Sequence, residues 1–244
     1  MTDRRVGLAR TLSKFGYCSR SQAFTLIRAG KVAVNGRITR NPELPINEST
    51  ARIAVEGRPI SAAGKVYLIL NKPRGVLTTA SDEKARNTVY SLLPADLPWL
   101  APVGRLDKAS EGLLLLTNDS EWAARISSPE SHLDKTYHVQ IGTVGDEVLL
   151  QTLLSGVRSG SERLRVKRAS IIRGGKKNTW LEIILDEGRN RQIRRMFDAV
   201  NIEVLRLIRV AIGPLQLGIL PKGEARQLTT LEKSVLDKAL DRRG

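Results

Sequence analysis

Asp107 lies two residues from a guanidinium, on a polar loop that runs straight into a buried-looking apolar run. The stretch is Gly104-Arg105-Leu106-Asp107-Lys108-Ala109-Ser110-Glu111-Gly112, followed by Leu113-Leu114-Leu115-Leu116-Thr117. A strand beneath such a loop can hold it rigidly, as a reactive group requires. A carboxylate can attack an electrophilic carbon, form a covalent adduct and release it again. Asp is also a common turn-capping residue, so the loop by itself leaves both readings open.

A second constellation is Asp186-Glu187-Gly188-Arg189-Asn190-Arg191-Gln192-Ile193-Arg194-Arg195-Met196-Phe197. Arg189, Arg191, Arg194 and Arg195 fall at the predicted start of a helix over residues 189–200. Cations there oppose the helix dipole, and a chain that carries that local conflict often serves an anionic ligand. Ile193, Met196, Phe197 and Val200 would form the buried stripe, and Arg191 and Arg194 would share the other face. The bland alternative is a solvated basic helix end. A third constellation is Lys135-Thr136-Tyr137, where alternation puts Lys135 and Tyr137 on one side of a strand. That ring could stack on a nucleobase or simply pack in a core.

The elements that must position these groups can be sketched from periodicity. Leu8, Leu12 and Phe15 recur at helical spacing, and Gly16 ends that helix. Ser19 with Gln22 reads as a capping box for a second helix, with Ala23, Leu26 and Ile27 inward and Gly30 as its stop. Residues 31–34 predict a short strand running into an Asn35-Gly36 hairpin turn, with residues 52–55 as a returning strand. Ser61-Ala62-Ala63-Gly64 reads as a linker. Beyond it, strands are predicted at 66–70, 113–117, 137–141, 164–172, 179–185 and 204–210. Helices are predicted from Asp119 or Ser120 to about Ile126, at 146–154 and at 189–200. The expected division is a first module over 1–60, a linker over 61–64 and a larger domain over 65–244. The strand spacing is too irregular for doubly wound βαβ repeats. An α+β fold is expected, with a small α/β module and then a mostly antiparallel mixed sheet flanked by helices.

Charge narrows the class of partner. Lys and Arg total 40 against 25 acids, a net charge of +15. The first 60 residues hold 11 of those cations and four acids. This excess favours a polyanion, because phosphate contacts release condensed counterions. Arg20, Arg28, Lys31 and Arg37 are the candidate basic face of the first module. Cys18 is the single cysteine, which excludes a disulfide framework and argues against a thiolate zinc site. His132 and His138 lack ligand-spaced partners, so no metal is expected. Met1-Thr2-Asp3-Arg4-Arg5 lacks a signal-peptide core, and no apolar run is of membrane-spanning length, so a cytoplasmic protein is expected without membrane attachment.

The stretches Leu12-Ser13-Lys14-Phe15-Gly16-Tyr17-Cys18-Ser19-Arg20-Ser21-Gln22-Ala23 and Leu26-Ile27-Arg28-Ala29-Gly30-Lys31-Val32-Ala33-Val34-Asn35-Gly36 resemble the S4 RNA-binding module. That module implies recognition of structured RNA by shape and phosphate contacts. Gly104 to Leu115, Lys135-x-Tyr137 and Glu187 to Met196 together resemble the pseudouridine synthases, in the ribosomal-RNA branch that carries an S4 module. Asn71-Lys72-Pro73-Arg74-Gly75 is similar to that family's early loop. Arg206-Leu207-Ile208-Arg209 and Gly213-Pro214 are similar to its late strand.

The resemblance implies a site-specific isomerisation of uridine to pseudouridine in ribosomal RNA, free or in an assembly intermediate, by a monomer that needs no cofactor. It implies Asp107 as nucleophile on a flipped-out uridine and Arg194 as the cation that holds its charge in a pocket excluding water. It also implies Tyr137 as base platform and aid to proton removal at C5, and Arg105 as the residue that occupies the space the uridine vacates. Lys72, Arg74, Arg189 and Arg191 are further candidate RNA contacts, and Leu185 and Ile193 candidate pocket walls. Two other classes fit parts of the pattern. A non-catalytic ribosome-assembly protein needs only the basic module. A nucleoside hydrolase uses a second carboxylate, for which Glu111 and Asp119 are available.

Overall fold

In the computed structural model, which describes residues 5–79 and 87–241, Ser19 opens a helix in the predicted way. Its hydroxyl accepts from Gln22 N–H while the Gln22 side chain accepts from Ser19 N–H. The residues Met1 to Arg4, used above in the signal-peptide argument, lie outside the described residues.

One compact unit comprises the described part of Met1–Tyr67 with Pro94–Ala101 and Leu116–Trp122. Its helices are α1 (Leu8–Lys14) and α2 (Arg20–Arg28). The strands β1 (Val32–Val34), β2 (Arg37–Thr39), β3 (Ile53–Val55) and β4 (Arg58–Ile60) form an antiparallel sheet in the order β2-β1-β3-β4. Asn35 and Gly36 both take positive φ, 51° and 80°, as the predicted hairpin turn demands. Leu8, Leu12, Ala23 and Ile27 from the helices and Val32, Ile53 and Val55 from the sheet close one core. Within this unit Ala63 N–H donates to Phe15 O, and Gly64 O accepts from Asn118 Nδ2, so hydrogen bonds engage the stretch expected as a linker.

The second unit takes the sheet strands β5 (Tyr67–Lys72) from Leu68 onward, β6 (Glu111–Thr117) as far as Leu115, and β7 (Lys135–Ile141), β8 (Arg168–Gly174), β9 (Thr179–Leu185), β10 (Val204–Ile212) and β11 (Ala225–Gln227). Their order is β8-β9-β7-β10-β6-β5-β11. The ladders β7–β9, β7–β10, β8–β9 and β5–β11 are antiparallel, and β6–β10 is parallel. The expected mostly antiparallel mixed sheet is therefore present. Helix α3 (Ser120–Ser127) starts where Asp119 Oδ1 accepts from Trp122 N–H. Asp146 likewise caps α4 (Glu147–Ser155) through Leu149 N–H.

One face of the sheet (Val139, Ile141, Leu181, Ile183, Leu185, Leu207) receives Leu149, Leu150 and Leu153 of α4 and Ile193, Met196 and Phe197 of α5 (Gln192–Asp198). Full burial of a side chain such as Met196 or Phe197 contributes about 1.5–3 kcal/mol relative to exposure, so these contacts fix α5 to the sheet.

Three expectations shift. The helix predicted over 189–200 spans only Gln192–Asp198. Arg191 is its N-cap residue, at φ 47°, so Arg191 and Arg189 sit in the approach to the helix and not on its face. The strand predicted from 164 begins at Arg168, because Leu164 pairs instead in a small hairpin of Val157–Ser159 with Glu162–Leu164. A last helix, α6 (Thr230–Asp241), is additional; the Thr229 hydroxyl accepts from Glu232 N–H and Glu232 accepts from Thr229 N–H.

Candidate active site

The Asp107 loop is locked from below. The Lys72 side chain is fully buried at the end of β5. Its ammonium donates to Pro73 O at 3.0 Å, Asp107 O at 3.2 Å and Ser110 O at 2.8 Å. Thr78 Oγ1 donates to Leu106 O, Gly75 N–H to Lys108 O, and Ser110 N–H to Asp107 O. Backbone on both sides of Asp107 is thereby held, while its carboxylate stays 35% exposed. Such an arrangement fits a reactive group that must be both placed and reachable. The expectation that Lys72 touches RNA is corrected: a side chain with no exposure, whose donors all go to carbonyls, is a positioning residue. Burial pushes its pKa down to about 8, against the upward pull of Glu111 and Asp107.

Immediately after the loop, Glu111 is buried and pinned. Arg206 binds it bidentately at 3.1 Å and Lys222 binds it at 2.5 Å. Burial drives its pKa up, but Arg206 and Lys222 outweigh burial and hold it below the usual carboxylate range. Gly112 follows at φ 101°, where a Cβ would sit 2.3 Å from Arg209 O. Only glycine lets β6 approach β10 that closely. Asp119 is engaged as the α3 cap and by the Tyr67 hydroxyl at 2.9 Å. Neither alternative carboxylate is free for hydrolytic work.

The four arginines of α5 and its approach divide into two pairs. Arg191 reaches Asp107, Nη1 to Oδ2 at 3.8 Å. Arg194 donates to Ala109 O at 3.0 Å and to Val204 O at 3.3 Å. Its Nε is buried with no hydrogen-bond partner among the described residues. Burial lowers its pKa first, Arg191 and then Arg74 push the same way, and Asp107 opposes them. Arg194 thus carries a charge fixed by carbonyls and felt by Asp107, while the direct ion pair belongs to Arg191. Arg189 and Arg195 turn away to Glu162, and Arg189 also pairs with Glu187.

Arg105 and Arg74 are exposed, and Arg74 donates to Leu205 O. Tyr137 lies opposite Ile183 and Arg209 and packs against the core cluster that contains Leu185 and Ile193. Those two are each 3% exposed, so they form floor more than wall. In the first unit Arg20, Arg28, Lys31 and Arg37 are all exposed, but Lys31 is paired with Glu56 at 2.7 Å. Lys72, Thr78, Glu111, Arg206 and Glu162 carry site roles that spacing did not reveal; a charged residue at the edge of an apolar run was the one available signal, at Lys72 and Glu111.

The family model for RNA pseudouridylate synthases matches residues 66–199, and the S4 domain model matches residues 6–50. The chain belongs to the RNA pseudouridylate synthase family. It is 36% identical over 227 residues to the ribosomal large subunit pseudouridine synthase B of Bacillus subtilis (strain 168), covering 92% of this chain and 93% of the relative. It is 38% identical over 237 residues to an uncharacterized RNA pseudouridine synthase of Aquifex aeolicus (strain VF5), covering 96% and 95%. A crystal structure of a pseudouridylate synthase superposes with a TM-score of 0.64 at 32% identity, covering 96% of this chain and 99% of that one. As an RNA pseudouridylate synthase the chain is an isomerase, joined to an RNA-binding S4 domain. A pseudouridylate synthase must detach uracil and rejoin it to the same ribose, so a placed group that can add covalently and leave again, in a charged pocket that excludes water, is what its site has to supply.

Proposed function

We propose that this protein isomerises uridine to pseudouridine in ribosomal RNA, with Asp107 as nucleophile. The observation that carries the assignment is the Asp107 carboxylate on a loop locked by Lys72, Thr78 and Gly75, facing Arg191 at 3.8 Å and the carbonyl-bound Arg194. The relative named ribosomal large subunit pseudouridine synthase B supports ribosomal RNA as the substrate. In the reaction the C1′–N1 bond breaks, the uracil turns, and a C1′–C5 bond forms. C5 loses a proton and N1 gains one, so composition is unchanged and no redox equivalent is consumed.

In this reading Arg194 and Arg191 hold the charge of Asp107 as water leaves. Tyr137 packs on the uracil over the floor made by Leu185 and Ile193, and Arg105 fills the stack left by the flipped nucleotide. Arg74, Arg189 and Arg191 border the RNA path. The S4-like module, taken as residues 1–60, captures structured RNA, and residues 65–244 perform the chemistry. The protein acts as a monomer in the cytoplasm. The test is incubation with ribosomal RNA, followed by mapping of modified uridines and assay of released base. Pseudouridine at one or a few positions is expected. Free uracil would identify a hydrolase, and unmodified RNA would contradict the proposal.

A further inference from the structure

From Arg163 to Asn178 the chain holds seven Lys and Arg and no Asp or Glu. This run covers β8, which is an edge strand of the sheet, and the turn into β9. Two of its cations are engaged: Lys167 with Asp134 at 2.7 Å, and Arg163 with Ser155 O at 2.8 Å. Arg165, Arg168, Arg173, Lys176 and Lys177 are exposed, and none has an ion-pair partner among the described residues. The proposed chemistry uses none of them.

Register shows where this charge lies. Gly174 stands opposite Thr179, Thr179 opposite Ile141, and Ile141 opposite Val204. Strand β6 runs parallel to β10, with Glu111 beside Ile208. The loop before Glu111 therefore leaves the sheet at the Val204 end, where Arg194 bridges Ala109 O and Val204 O. The turn carrying Lys176 and Lys177 leaves at that same end. Three to four strand spacings separate it from the Asp107 loop, about 15–20 Å.

We propose that the β8–β9 hairpin is a contact surface for the substrate RNA itself, gripping backbone phosphates that flank the target uridine through Arg173, Lys176 and Lys177. The proposal rests on Asp107 being the site of the isomerisation. Charge complementarity selects the occupant: unpaired cations without an intervening acid attract a polyanion and gain by counterion release. A competing use of strand cations is to guard an exposed edge against pairing with another chain, here one that shows Ile171 and Ile172 at 42% and 48% exposure. Edge guarding explains Arg168 and Arg173 on β8. It gives no role to Lys176 and Lys177, which stand in the turn beyond the paired residues.

The experiment compares wild type, K176E/K177E and R168Q/R173Q on full-length ribosomal RNA and on nested fragments trimmed toward the modified uridine. For K176E/K177E on long RNA, KM rises about tenfold and the log–log salt slope falls by about 1.4–1.8, the value for two lost phosphate contacts. The kcat is unchanged, and the KM difference vanishes on the shortest active fragment. Equal KM and equal salt slope on every RNA would overturn the proposal. So would variants whose sole defect is self-association, which is the edge-guard outcome. Failure of wild type to form pseudouridine on any RNA would instead overturn the reading of Asp107, and this proposal with it.

Discussion

Arg191 and Arg194 approach Asp107 by different means, and their substitutions separate. The Arg191–Asp107 contact is 3.8 Å long between groups 48% and 35% exposed. Such pairs contribute about 0–1 kcal/mol to stability. Arg194 is more deeply set and is bound by two carbonyls, so its charge is in place before substrate arrives. We expect Arg194→Ala to lower kcat by about 10²–10³-fold, the range for losing one preorganised stabiliser. Arg191→Ala should cost about tenfold or less. Single-turnover rates with saturating RNA check the order of the two.

Lys72 gives a pH dependence. Its pKa, pushed down to about 8 by burial, lies below the ordinary lysine value of about 10.4, so the unfolded chain holds that proton more tightly. This residue's contribution to stability therefore rises as pH climbs from about 8 toward 10.4. Its neutral amine has only two donors for three carbonyls, so the Asp107 loop loosens over the same interval. The expected result is a rate that falls above pH ~8, with a melting temperature that holds or rises across that limb. A flat rate up to pH ~9.5 would contradict it.

At the level of elements, the β6–β10 ladder depends on Gly112. A methyl there meets Arg209 O at 2.3 Å on a backbone with φ 101°. Gly112→Ala is expected to destabilise by at least about 2–3 kcal/mol, and urea unfolding measures it. Elements with local chemistry were legible in the sequence: the Ser19–Gln22 box, the Asn35-Gly36 turn and the helix starting at Asp146 each need only neighbouring residues. Elements decided by tertiary contacts were not. Arg191 looks helical by spacing, yet the ion pair with Asp107 and the bonds from Gln192 to Glu187 and Arg165 O anchor a non-helical approach. Leu164 and Val166 alternate as a strand would, and only tertiary partners separate them from β8: Leu164 pairs with Val157, and Val166 N–H donates to Leu153 O. The Thr229–Glu232 box that opens α6 is equally local, but no apolar run or charge cluster beside it marks its place in the sequence. Within the site, types and spacing pointed to Asp107 and the arginines. The division of those arginines between Asp107 and Glu162 needed the fold, because Glu162 arrives from a hairpin about 30 residues away.

For the whole molecule, the net charge of +15 is distributed over both units, and each has exposed cations of its own. In the S4 domain Arg20, Arg28 and Arg37 are exposed, whereas Lys31 is committed to Glu56. Arg20→Glu with Arg28→Glu should weaken RNA capture and reduce the salt slope by about 0.7–0.9 per lost phosphate contact, leaving kcat unchanged. Lys31→Glu should do less, because it removes a cation that is already paired. Filter binding across a salt series distinguishes these variants, and an unchanged slope for the double variant would remove this face from the RNA path.

The measurement closest to the central claim is a single-turnover assay of Asp107→Asn on ribosomal RNA, with pseudouridine mapped in the product and binding measured alongside. The change keeps the shape of the side chain and its loop, held through backbone by Lys72 and Thr78, but removes the charge. The predicted result is RNA binding within a few fold of wild type and loss of pseudouridine by at least about 10⁴-fold, as when a covalent nucleophile is removed. Pseudouridine formation at a rate near that of the unaltered protein would contradict Asp107 as the nucleophile.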